Sequence, residues 1–169
     1  MNITPTIIGI PKLKYILLTH GHFDHVLGIN EMKEKTGAKV LVNETDVERI
    51  QESAEIMRSF GVPDVETPVA DDYLKDNQVI KFGNTEIKVI FTPGHTQGSV
   101  CYSIDDKLFS GDTLFKGSVG RCDLPGGDFS QIQTSIKDIL FELDDSVTVF
   151  PGHGEKTTIG YEKKFNEIL

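Results

Sequence analysis

A chain of 169 residues, 38% apolar and 25% charged, has the size and balance of one domain around a single core, which argues against long disordered stretches. A formal net charge of −9 speaks against a broad basic face for nucleic acid, and no apolar run approaches the length that spans a bilayer. Two cysteines, Cys101 and Cys122, make no disulfide framework, and residues 1–11 carry no secretory leader, so the expected setting is the reducing cytoplasm.

Residues 15–18 form a short apolar run ending at Thr19, which reads as a buried strand. Residues 27–36 read as a helix stopped by Gly37, and 39–42 as the next strand. Val47, Ile50, Ala54, Met57 and Phe60 recur at spacings of three and four, predicting an amphipathic helix with Gly61 and Pro63 as stop signals. Residues 62–77 read as an irregular acidic connection. Strands are predicted at 79–82 and 86–91, around a Gly83-Asn84 turn. Val100, Tyr102 and Ile104 alternate as in a strand buried on one face. Asp105-Asp106 then turns the chain into a strand at 107–110. A glycine-rich loop runs over 117–127. A second amphipathic helix follows on Phe129, Ile132, Ile136, Ile139 and Leu143, then a strand at 147–150 and a short closing helix. Hairpins mixed with strand–helix units predict an α/β fold with helices packed on sheet. Nothing in the chain reads as an interdomain linker, so one domain is expected over 1–169.

The five histidines are His20, His22, His25, His95 and His153. Each falls at the end of a predicted strand or in the loop after it, and none in a predicted helix. Residues 19–25 read Thr-His-Gly-His-Phe-Asp-His. In an extended segment alternate side chains share a face, so His20 and His22 can reach one metal together. Asp24 and His25 follow at once, and a turn there can aim them at a second ion. Imidazole with carboxylate suits Zn²⁺, and also Fe or Mn. Three further candidates arrive singly, as Pro93-Gly94-His95, Ser110-Gly111-Asp112 and Pro151-Gly152-His153. A glycine directly precedes each, allowing backbone angles and close approaches that other residues resist.

These segments resemble the metallo-β-lactamase superfamily, and among its members the small bacterial branch similar to glyoxalase II, the hydroxyacylglutathione hydrolases. Matching stretches are Thr-His-Gly-His-Phe-Asp-His, Thr-Pro-Gly-His-Thr, Ser-Gly-Asp-Thr and Pro-Gly-His-Gly, with residues 120–128 and 157–160 in addition. The resemblance covers about residues 13–165. It implies an αβ/βα sandwich with the site at one edge of the sheets. It implies His20, His22 and His95 on one divalent metal ion, Asp24, His25 and His153 on a second, and Asp112 bridging both. The true β-lactamases place other residues at the bridging position, so antibiotic hydrolysis ranks low.

The chemistry implied is hydrolysis of a small-molecule thioester by a metal-bridging hydroxide, with zinc as the expected metal and Asp24 orienting the nucleophile. An alternative is a mononuclear-iron oxidoreductase resembling persulfide dioxygenases, whose second site is typically empty. Thr96 and Thr113 are candidates for supporting hydrogen bonds, and Arg121 for an ion pair with Asp123 that holds the loop over the site. Cys101 reads as a small packing residue. Only 19 residues precede His20, fewer than the resemblance implies, and Ile7, Ile8 and Ile10 supply one strand at most. Part of the N-terminal strands is therefore expected to be missing. A homodimer could cover the edge so exposed, or the chain could be a shortened member that binds metal with impaired catalysis.

Overall fold

The computed structural model describes residues 13–62 and 65–169. The expected strand around Ile7, Ile8 and Ile10 and the stop signal at Pro63 lie outside the described residues. Two sheets are stacked with helices on their outer faces. The first is three-stranded and parallel, with β1 (Tyr15–Leu17), β2 (Lys39–Val42) and β3 (Asp72–Tyr73) in that order. The second has six strands. They are β4 (Val79–Phe82), β5 (Thr85–Phe91), β6 (Val100–Ile104), β7 (Lys107–Gly111), β10 (Thr148–Pro151) and β11 (Thr157–Thr158), ordered β11-β10-β7-β6-β5-β4. A small hairpin, β8 (Leu114–Phe115) with β9 (Ser118–Val119), stands between β7 and the long loop that follows.

Strand alternation builds the layers. In β2, Val40 and Val42 face a cluster with Leu18, Val26, Ile29 and Ile50. These come partly from α1 (Phe23–Val26), α2 (Ile29–Thr36) and α3 (Val47–Ser59). Leu41, between them, points the other way and joins Val89, Val100 and Tyr102 of the second sheet. In that sheet the neighbours of these residues, Ile90 and Cys101, face outward onto Ile132 of α4 (Phe129–Thr134), Ile136 and Leu140 of the helical turns that continue it, and Ile159 of α5 (Ile159–Phe165). Period-two side chains thus give a helix layer, two sheets and a second helix layer, the αβ/βα sandwich that the sequence motifs implied. No helix among the described residues is long and apolar enough to cross a membrane.

Several expectations are corrected. The helix predicted over 27–36 begins at Ile29, and a separate, unpredicted short helix, α1, precedes it at Phe23–Val26. The acidic connection at 62–77 contains β3, too short and too exposed to produce a periodic signal. Phe60 is 80% exposed and lies past the end of α3, so it is no core residue, whereas Ile50, Ala54 and Met57 are buried as expected. The second amphipathic helix changes pitch. After α4 the chain takes a wide π turn at Ser135–Ile139 and a tight turn at Leu140–Glu142. The change of register turns Ile139 outward, 39% exposed, and brings Leu140 into the core.

Candidate metal centre

The histidines and the two aspartates come from loops and one short helix at one end of the stacked sheets. The segment after β1 carries His20 and His22 in extended backbone, then enters α1, which holds Asp24 and His25. His25 therefore sits in a short helix, contrary to the sequence reading that placed no histidine in one. The helix supplies the turn that sends Asp24 and His25 away from the first pair. His95 follows β5, Asp112 follows β7 and His153 follows β10. The glycines ahead of them act in two ways. Gly94 and Gly111 hold positive φ, at 137° and 50°. At Gly152 space decides, because a Cβ there would stand 2.3 Å from Asp112 Oδ1.

All seven predicted side chains meet. Ligand atoms of His20, His22 and His95 lie within 4.8 Å of one another, and so do those of Asp24, His25 and His153. Asp112 stands between the groups. Its Oδ1 is 3.3 Å from His25 Nε2, and its Oδ2 is 3.5 Å from His153 Nε2 and 3.7 Å from His95 Nε2.

The donor set fits divalent cations. His20 Nε2 is buried and has no hydrogen-bond partner among the described residues, a costly state unless something else occupies it. His22 Nδ1 faces His95 Nε2 at 2.8 Å. His95 Nδ1 donates to the Arg121 carbonyl at 2.7 Å. A carbonyl only accepts, so the proton sits on Nδ1 and the Nε2 lone pair points into the cluster. Burial and the crowding of neighbouring imidazoles hold the His20 pKa well below its usual value. Burial, with His95 and Arg49 nearby, lowers that of His22 to about 4. Both rings are thus neutral, as ligation requires. Burial also works against charge on His25, but contact with Asp112 and the charges of Asp112 and Asp24 outweigh it and raise its pKa. For Asp112 burial is likewise outweighed, chiefly by His25, and its carboxyl is held below the ordinary range.

The cluster opens into a cleft of about 540 Å³. Phe23, Ile56, Phe115, Leu124 and Pro125 supply its apolar walls. Arg49 of α3 pairs with Glu52 and donates through Nη2 to the Pro125 carbonyl at 2.5 Å. Gln97 donates to the Gly126 carbonyl at 2.8 Å, so loop 121–127 is pinned beside the cleft at two points. Arg121 and Asp123 form the expected ion pair, with contacts of 2.9 and 2.8 Å. Thr96 and Thr113 make no hydrogen bond to a histidine of the cluster; Thr96 donates to Asp46 and Thr113 meets Thr92. Cys101 is buried in the core, and burial pushes its thiol up to about 11, so it packs and does not react.

Sequence reasoning missed Asp46 and Arg49. Asp46 stood in a polar run before an amphipathic helix, which gives only the signal of a helix start. Arg49 lay on the polar side of the same pattern.

The sequence profile of the metallo-β-lactamase superfamily matches residues 6–153. The chain belongs to this superfamily. Members of the metallo-β-lactamase superfamily are typically metal-dependent hydrolases that bind divalent ions, and the cluster fits that pattern. A hydroxyacylglutathione hydrolase, GloC, of Haemophilus influenzae is 35% identical over 162 residues, covering 94% of this chain and 76% of the relative. Among solved structures, TTHA1623 in a di-iron-bound form superposes with a TM-score of 0.83 at 36% identity, covering 95% of this chain and 78% of the other. The B3 metallo-β-lactamase BLEG-1 gives 0.84 at 34% identity, with coverage of 92% and 77%. ETHE1 from Myxococcus xanthus gives 0.75 at 28%, with coverage of 92% and 62%.

Proposed function

We propose that this chain hydrolyses small thioesters at a centre of two divalent metal ions. The observation that carries the reading is the double cluster: two separate groups of three candidate ligands, His20–His22–His95 and Asp24–His25–His153, joined through a third group in which Asp112 meets His20 and His25. His20, His22 and His95 would hold one ion, Asp24, His25 and His153 the other, and Asp112 would bridge them. Zinc is the metal proposed; the di-iron TTHA1623 structure makes iron the first to compare. Ions bound there would supply acidified water near neutral pH and polarisation of a carbonyl oxygen.

The chain's own groups do the rest. Asp24 Oδ2 lies 3.0 Å from His153 Nε2 and 3.6 Å from His25 Nε2, at the cleft wall, where it accepts a hydrogen bond from the attacking water and orients it. The water oxygen forms the new bond to the acyl carbon and the carbon–sulfur bond breaks; one water proton ends on the departing sulfur and the other is released to solvent, so the products are a carboxylate, a thiol and a proton. Phe23, Ile56, Phe115 and Leu124 shield the reacting carbonyl from bulk water and pack against the apolar part of the substrate. The likeness to the Haemophilus GloC hydrolase supports a hydroxyacyl thioester as the first substrate to try.

The test is steady-state hydrolysis of S-lactoylglutathione and of a lactoyl thioester with a smaller thiol. Turnover of either is expected, with His95→Ala reducing kcat/KM by at least the roughly 10–100-fold that outer-shell partners already command. A folded, metal-loaded chain with no thioesterase activity overturns the reading. The likeness to the ETHE1 structure favours a second reading, a mononuclear-iron oxidoreductase of the persulfide dioxygenase kind. Against it stands the complete second group, Asp24, His25 and His153.

A further inference from the structure

Asp46 occupies the N-cap position of α3, yet its carboxylate makes no capping bond to that helix. It is spent on two other segments. Oδ2 accepts from the Gly21 amide at 2.7 Å and from the Thr96 hydroxyl at 2.9 Å. Oδ1 accepts from the Gly98 amide at 2.8 Å. Gly21 stands between His20 and His22, and Thr96 is the neighbour of His95. One carboxylate therefore ties the loop that carries two histidines of the first group to the loop that carries the third.

The fit is tight and buried. Asp46 is 1% exposed. A Cβ on Gly98 would stand 2.6 Å from Oδ1, so the second loop approaches as closely as backbone can. Ser53, about two turns further along α3, donates to the Gly21 carbonyl at 2.8 Å, so both backbone polar groups of Gly21 are held from the same helical segment. Burial pushes the Asp46 carboxyl up in pKa, and the three donors with Arg49 oppose it. A buried carboxylate without a counter-ion in direct contact is costly, and here hydrogen bonds from both metal-site loops offset that cost.

We propose that Asp46 is a positioning residue that sets the geometry of the His20–His22–His95 group by bracing the two loops that carry it. The inference rests on the two-metal reading above and assigns a role for a residue that touches neither ion nor substrate. Its consequence is selective. Asp24, His25 and His153 sit on α1 and the loop after β10, which Asp46 does not contact through any hydrogen bond. Loss of the brace is expected to weaken one metal position and spare the other.

The experiment is titration of the metal-free protein with cobalt(II), followed by its visible absorption against a competing chelator. His22→Ala first marks which binding step belongs to the first group. In Asp46→Asn an amide nitrogen must face a backbone N–H, so the brace is broken at nearly constant volume. That same step is expected to weaken about 10–100-fold, the cost usual for outer-shell partners, while the other keeps its wild-type affinity. Thermal unfolding of the metal-free variants is read in parallel. A merely structural role would shift both steps alike with the fall in Tm, and this overturns the proposal, as does an unchanged first step. If Asp46→Asn does not fold, Thr96→Val removes one of the three hydrogen bonds and is expected to shift the same step by a few-fold; no shift there overturns the proposal too. A wild-type chain that takes up no cobalt overturns the metal reading itself, whereas normal uptake with an unaltered Asp46→Asn overturns this inference alone.

Discussion

At the residue scale the centre depends on imidazoles kept neutral by burial. Linkage turns this into a stability prediction. His22 titrates near 4 in the folded chain and near 6.5 unfolded, and His20 is shifted in the same direction. Between these values the unfolded chain binds protons that the folded chain does not. These two groups therefore stabilise the fold fully above about pH 6.5 and lose that contribution as pH falls towards 4. Asp46, raised by burial, acts in the opposite sense, because the folded chain takes up its proton first as acid is added. His25, raised by Asp112 and Asp24, acts in the same sense as Asp46, but the deep downward shifts of His20 and His22 outweigh both and give a net loss. The Tm of metal-free protein is expected to drop steadily from pH 7 to pH 4.5, and the drop should shrink in His20→Gln. A flat profile would contradict the burial argument. The seven side chains of the centre were legible because their types and spacing are themselves the chemistry. Asp46 was not, because its three hydrogen bonds join Gly21, Thr96 and Gly98, which are 25 to 52 positions away in sequence.

At the element scale, periodicity identified strands and helices wherever one face is buried. The strands at 39–42, 79–82 and 86–91 and the body of α3 follow their patterns closely. It failed where geometry departs from an ideal period. A pattern at 3.6 residues per turn puts Ile139 in the core, but the wide turn at Ser135–Ile139 places Leu140 there. It also counted Phe60, which lies beyond the last turn of its helix. Two substitutions separate the readings. Ile136→Ala, at a fully buried site, is expected to cost about 2–5 kcal/mol in urea unfolding. Phe60→Ser is expected to stay within about 0.5 kcal/mol of wild type. Equal losses would mean that α3 extends its buried face past Ser59. Loop 121–127 belongs to the same scale. Arg49 and Gln97 pin it by its backbone carbonyls, and its Arg121 carbonyl orients His95. Such bonds use main chain, so no side-chain pattern announces them.

At the scale of the whole molecule, the sandwich brings strand ends from both sheets to one edge. The first sheet delivers His20 and His22 after β1, and the second delivers His95, Asp112 and His153 after β5, β7 and β10. A ligand set scattered over more than a hundred residues becomes local only because the sheets stack with these ends together. The residue types predicted the meeting, while the order β11-β10-β7-β6-β5-β4 that produces it needed the structure. The two-ion centre is the claim on which the proposed hydrolysis and the role of Asp46 both stand. Elemental analysis of the purified chain, with thioesterase turnover and oxygen uptake measured on the same sample, tests it most directly. About two ions per chain with thioester hydrolysis and no oxygen consumption is the predicted result. A single iron per chain with oxygen uptake, and no gain in turnover when more metal is supplied, would contradict it.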